Sequence, residues 1–148
     1  WSLTWDLGTT FNWDWSLIPY SYGTYLFSAK YLAGDYEGRM ISKTPRVYAS
    51  NGVRFVSEAQ GLMVDFNLLS KSRQRTGPLI SMSTVSEWQK GWTTANVSVR
   101  KSLYEIPEYG KFTIMASVYN VFNKDYEVTA GYPTPGRAFY LGLGYDFK

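Results

Sequence analysis

The feature that most narrows the folds open to this chain is the strict alternation of its closing residues. Phe139, Leu141, Leu143, Tyr145 and Phe147 occupy every second position, and between them stand Ala138, Tyr140, Gly142, Gly144 and Asp146. Side chains of an extended strand point alternately to its two faces, so this spacing predicts a strand with one continuous apolar face and one small or polar face. Such a strand suits a wall between hydrocarbon and water. Upstream, Phe112, Ile114, Ala116 and Val118 alternate in the same way, and a Gly-, Pro- and Asn-rich connection separates the two runs. That is the pattern of antiparallel neighbours joined by a loop.

The rest of the chain repeats it. Trp1, Leu3, Trp5, Leu7, Phe11, Trp13 and Trp15 share one face of a strand predicted over residues 1–15, longer than a soluble sandwich strand usually runs. Residues 16–21 break the pattern, and Pro19, which cannot donate to a ladder, predicts a short turn there. A second strand is predicted over 22–33, with Tyr25, Phe27, Ala29 and Tyr31 on the apolar face and Thr24, Ser28 and Lys30 on the other. After a polar loop over 34–43, a third strand over 44–56 places Arg46, Ser50, Gly52 and Arg54 on its polar face. Asn51 interrupts the apolar one. A tight turn at 58–61 leads to a fourth strand from Leu62 to about Arg73. A loop over about 74–91 precedes the fifth strand, 92–104, and a turn at 106–110 precedes the sixth, 111–120. The connections therefore alternate between short and long, as in outer-membrane barrels with tight turns on the periplasmic side and long loops outside.

These residues also carry a family likeness. Asn120-Val-Phe-Asn-Lys-Asp-Tyr126, then Gly131-Tyr-Pro-Thr-Pro-Gly-Arg137, then a closing strand ending Tyr145-Asp-Phe147, resemble the C-terminal end of TonB-dependent outer-membrane receptors. That family typically reads Asn-Leu-Phe-Asp-Lys-x-Tyr, then Pro-Gly-Arg, then a strand with a terminal aromatic. Lys148 departs from the pattern, since the family usually stops on the aromatic itself. The resemblance implies an all-β fold, an antiparallel transmembrane β-barrel segment of about seven strands within a barrel of about twenty-two. Residues 1–148 would be its C-terminal portion, with earlier strands, a plug domain and an export signal encoded upstream. It further implies uptake of a scarce nutrient such as a ferric siderophore, haem or cobalamin, driven by TonB acting on the plug. Asn120, Phe122, Gly136 and Arg137 fall in the family motif and imply loop geometry and barrel closure. Gly142, Tyr145 and Phe147 keep the spacing of the chain-end signal read by the barrel-assembly machinery.

Composition agrees and excludes much else. Aromatics make up 18% of the 148 residues, with thirteen Tyr, eight Phe and six Trp, an excess that girdles at two membrane interfaces would explain. No apolar run approaches the roughly 20 residues of a membrane helix. The absence of Cys and His removes thiolate chemistry, the commonest general base and the commonest metal ligand. We expect no enzyme, no metal and no cofactor. A net charge of +3 is too small and too scattered to argue for nucleic acid.

The remaining candidates are contacts to ligand or plug. Lys30, Arg46, Arg54 and Arg100 fall on polar faces, where they would attract an anionic ligand such as a ferric chelate, grip the plug, or simply keep a lumen hydrated. Tyr36, Trp88, Tyr126 and Tyr132 lie in loops, where aromatics serve either as substrate contacts or as interface anchors. The alternative to a transporter is a small outer-membrane barrel acting as a structural anchor or adhesin. An odd strand count with a periplasmic C-terminus argues against seven strands closing by themselves.

Overall fold

The computed structural model describes residues 1–7, 14–27, 30, 32, 34, 41, 43–76, 88–106, 109–129 and 131–147. Its strands are β1 (Ser2–Thr4), β2 (Ser16–Tyr25), β3 (Val47–Ser57), β4 (Leu62–Lys71), β5 (Gln74–Arg75), β6 (Trp88–Gln89), β7 (Trp92–Ile106), β8 (Gly110–Tyr119), β9 (Glu127–Thr129), β10 (Tyr132–Pro133) and β11 (Ala138–Phe147). Seven of them form one sheet in the order β1-β2-β3-β4-β7-β8-β11, every neighbour antiparallel. The short pairs β5–β6 and β9–β10 are separate two-stranded ladders, and both lie within long connections at the same end of the sheet. Among the described residues, no helix is long and apolar enough to cross a membrane.

Register divides the sheet cleanly into two faces, because directly opposed residues share a face. Phe55 faces Val64, which faces Val99, which faces Ala116, which faces Leu141. Arg54 faces Asp65, which faces Ser98, which faces Ser117, which faces Tyr140. The first row is apolar and the second polar, as the alternation predicts. A bulge between Ser102 and Tyr104 leaves Leu103 as the extra residue and sets Tyr104 opposite Phe112 on the apolar side. The turn joining β3 to β4 closes through Gly61 N–H donating to the Glu58 carbonyl at 2.9 Å. Gly61 has φ 57°, a left-handed conformation that glycine adopts without a Cβ penalty.

The sheet has no apolar core of its own. Among the described residues the buried hydrophobic side chains are Ala49, Trp92 and Ala95, and no large side chain is fully enclosed. Leu141 and Leu143 are each 75% exposed and Phe147 83%. A soluble domain of this length normally buries large aliphatic and aromatic residues; here they line an open surface.

The structure corrects the N-terminal part of the sequence reading. Among the described residues of the predicted first strand over 1–15, β1 alone is strand, and residues 8–13 lie outside the described set. The predicted turn at 16–21 is instead the first half of β2, paired with β3 from Ser16↔Val56 onward. Pro19 is tolerated there because its carbonyl faces β1, accepting from Trp5 N–H at 3.2 Å. The N–H that proline lacks would point to the same side, just past the end of β1, so the ladder to β3 loses nothing. Of the predicted second strand, 22–33, β2 reaches Tyr25, and Ser28, Ala29, Tyr31 and Ala33 lie outside the described residues. Leu26 N–H makes one further rung to Arg46 carbonyl at 2.8 Å, and Phe27 beyond it is 89% exposed.

Candidate ligand pocket and polar face

The middle of the polar face is a connected hydrogen-bond network. Tyr20 on β2 donates its hydroxyl to Asp65 Oδ1 on β4 at 2.7 Å, while Arg54 Nε on β3 donates to the other carboxylate oxygen at 3.0 Å. Asn67 Nδ2 donates to Ser50 Oγ at 2.6 Å and to the Tyr20 hydroxyl at 3.2 Å. The Arg54 guanidinium lies 5.7 Å from the centre of the Tyr20 ring. Gly52 makes room for that ring, since a Cβ there would come within 2.5 Å of it. Three strands thus meet through one carboxylate.

At the long-loop end, aromatic and buried polar residues take over. Trp92 opens β7 opposite Lys71, and its ring lies 4.6 Å from Tyr126 and 6.5 Å from Tyr48. Around it the chain is tied down by side chains that reach backbone. Lys71 Nζ donates to Val128 carbonyl at 2.8 Å, and Gln89 Nε2 donates to Glu127 carbonyl at 2.7 Å. Gln74 Nε2 donates to Gln89 Oε1 at 2.7 Å, with both glutamines buried. These bonds tie β9 to the end of β4 and to β6.

Two cavities result, with Trp92 and Tyr126 in the wall of both. The larger, about 660 Å³, lies between Trp88, Lys90, Trp92 and the segment from Lys124 to Glu127. The smaller, about 420 Å³, lies against Tyr48, Leu69, Lys71 and Val128.

The connection from β8 to β11 is organised by asparagines. Asn120, with φ 52° and only 3% exposed, accepts from Lys124 N–H at 2.9 Å through Oδ1 and donates through Nδ2 to Lys124 carbonyl at 2.8 Å. Its own N–H donates to Asn96 Oδ1 at 3.0 Å. Asn123, also left-handed at φ 52°, accepts from Arg137 N–H at 2.8 Å, and its side chain packs against Gly136. Phe122 is 75% exposed.

The sequence candidates therefore separate. Trp88 and Tyr126 line the same cavity, whereas Tyr132 on β10 is 73% exposed and does not line either cavity. Arg54 and Arg100 lie on the polar face, Arg54 paired with Asp65 and Arg100 contacting Met115 Sδ at 3.4 Å. Arg46 and Lys30 are exposed and contribute to neither cavity. Tyr36 lies outside the described residues. Gly142 sits opposite Met115 on the polar face. Tyr145 lies on the apolar face between Phe112 and Phe147, its hydroxyl donating to Tyr109 carbonyl at 2.6 Å. Lys71, Gln74 and Gln89 were not legible as site residues, because nothing in a linear pattern marks a long polar side chain that will bridge to a distant loop, and Trp92 read only as the start of a strand. Among the described residues there is no cluster able to hold a metal ion.

Comparison with known proteins gives a short match. A stretch of 35 residues, 24% of this chain, is 49% identical to the vitamin B12 transporter BtuB from three strains of Vibrio cholerae serotype O1. The match spans 6% of the length of those relatives. No family model and no solved structure matches the chain.

Proposed function

We propose that this chain is a section of the wall of a TonB-dependent outer-membrane receptor. In this reading the apolar face meets lipid, the polar face lines the lumen, and the long connections lie outside the cell. The observation that carries it is the exposed apolar face on a sheet with no core. Strands β2, β4, β8 and β11 have 10 residues each, the length of a tilted bilayer crossing. An apolar surface of this extent is costly in water and is the solvated state in hydrocarbon.

Closure supports a larger barrel. β1 and β11 are the sheet edges and run in the same direction, so they cannot pair antiparallel with each other. Unpaired edge amides are unsatisfied in lipid. Further strands and a plug complete the barrel in this proposal. The motif from Asn120 to Phe147 and the partial identity to a vitamin B12 transporter favour nutrient import over an anchoring or adhesive role. Cobalamin, haem and ferric siderophores are the substrate classes to test. The chain's part is passive: wall, lumen surface and external loops, with no catalytic step.

The test is uptake by the full-length protein in cells with and without TonB. Saturable import of vitamin B12, haem or a ferric siderophore that disappears without TonB is the expected result. A purified chain that stayed monomeric and cooperatively folded in detergent-free buffer would overturn the membrane assignment. Membrane insertion without any uptake would favour the anchor.

A further inference from the structure

The larger loop cavity is lined by rings and by charges of both signs. Trp88 and Tyr126 supply flat aromatic surface, and Trp92, only 6% exposed, backs that surface through its contacts to Tyr126 and Tyr48. Lys90 and Lys124 share the wall with Asp125 and Glu127. Among the described lining residues, two ammonium groups and two carboxylates balance in formal charge. The volume of about 660 Å³ lies within the range of sites that enclose a small ligand.

Charge balance decides what such a site accepts. An anionic chelate loses hydration on entering a pocket, and only a surplus of cations returns that cost. Among the described lining residues there is no surplus, Arg73 beside the pocket lies over the Trp88 ring at 5.0 Å, and two cations on the polar face below are engaged. Arg54 is paired with Asp65 at 3.0 Å, and Lys71 donates to Val128 carbonyl at 2.8 Å. We propose that the pocket takes an uncharged ligand with a flat apolar face edged by hydroxyl or amide groups. The flat face lies on the rings. Carboxylates accept from the ligand's O–H or N–H groups, and the ammonium groups donate to its oxygens. The proposal rests on the transport reading and adds its substrate class.

The experiment uses full-length receptor in detergent, titrated calorimetrically with three probes: cyanocobalamin (amide-rich), maltoheptaose (hydroxyl-rich) and a ferric tris-catecholate (anionic). Saturable binding of one neutral probe is expected, with an affinity that changes less than about twofold between about 0.05 M and about 0.5 M salt. Trp88→Ala should weaken that binding about tenfold or more, and Asp125→Asn about three- to tenfold. Heat-modifiable gel mobility confirms that each variant has folded. Saturation by neither neutral probe overturns the proposal, as does an affinity untouched by both substitutions. TonB-dependent uptake of the tris-catecholate, with binding that falls steeply in salt, would sink the proposal while leaving the transport reading intact.

Discussion

The two faces of the sheet are stabilised in different ways. On the polar face Tyr20, Ser50, Arg54, Asp65 and Asn67 satisfy one another across three strands. On the apolar face Phe139, Leu141, Leu143 and Phe147 are between 72% and 83% exposed. The polar face carries its hydrogen-bond partners within the chain. The apolar face has none of comparable extent, so its contribution to stability depends on what surrounds it. The same sheet would be stable or unstable according to its solvent.

The largest expected effect breaks that comparison directly. Leu141→Arg places a charge on the apolar face near the middle of β11, and in lipid it should cost about 2–4 kcal/mol. Equilibrium unfolding of the full-length protein in phospholipid vesicles measures it. A change within about 0.5 kcal/mol, ordinary for a water-facing surface, would show that this face does not meet hydrocarbon. On the polar face, Gly52→Ala should cost about 1–3 kcal/mol, because the new methyl meets the Tyr20 ring and the Phe66 carbonyl oxygen. Gly142→Ala is its control, since a Cβ there lies 3.5 Å from Met115 Cε, an ordinary contact, and stability should hardly move.

Asp65→Ala removes the acceptor for both Tyr20 and Arg54. Arg54 is 44% exposed and the Asp65 side chain 16%, so water takes up part of the lost pairing and about 1–2 kcal/mol is expected. Asp65→Asn should recover part of it by keeping one acceptor for Tyr20, and the same unfolding curves would show this. The smallest effect is Asn51→Leu. Asn51 sits on the apolar face, where its Oδ1 accepts from Ser21 Oγ at 2.7 Å and Ser21 Oγ accepts from Trp1 Nε1 at 2.8 Å. Losing one such bond while gaining apolar surface should shift stability by less than about 1 kcal/mol. A larger loss would mean that this polar chain is a specific feature of the apolar face rather than a tolerated one.

Much of the sheet was legible because alternation is a local property. From β3 onward, apart from the end of β7 beyond the bulge at Leu103, the predicted faces are those observed, including Arg54 and Arg100 on the polar side. The predictions failed where a local signal met a long-range partner. Pro19 read as a break, yet its missing N–H points away from β3. Asn51 does interrupt the apolar face as expected, and what the sequence could not show is that Ser21 on the neighbouring strand satisfies it. For the candidate site, Trp88 and Tyr126 were visible as loop aromatics, and the structure places them in one cavity. Tyr132 carried the same signal and lies elsewhere.

The sequence by itself determined the alternation, and with it which side chains share a face, because a strand's period of two follows from backbone geometry alone. It also determined that Asn120, Asn123 and Gly136 belong to one connection. Only the tertiary structure decided which strand each edge pairs with, where β2 begins, and which loop residues meet around Trp92. Those outcomes depend on contacts between residues far apart in the chain, such as Lys71 with Val128 and Gln89 with Glu127, and no local pattern encodes them.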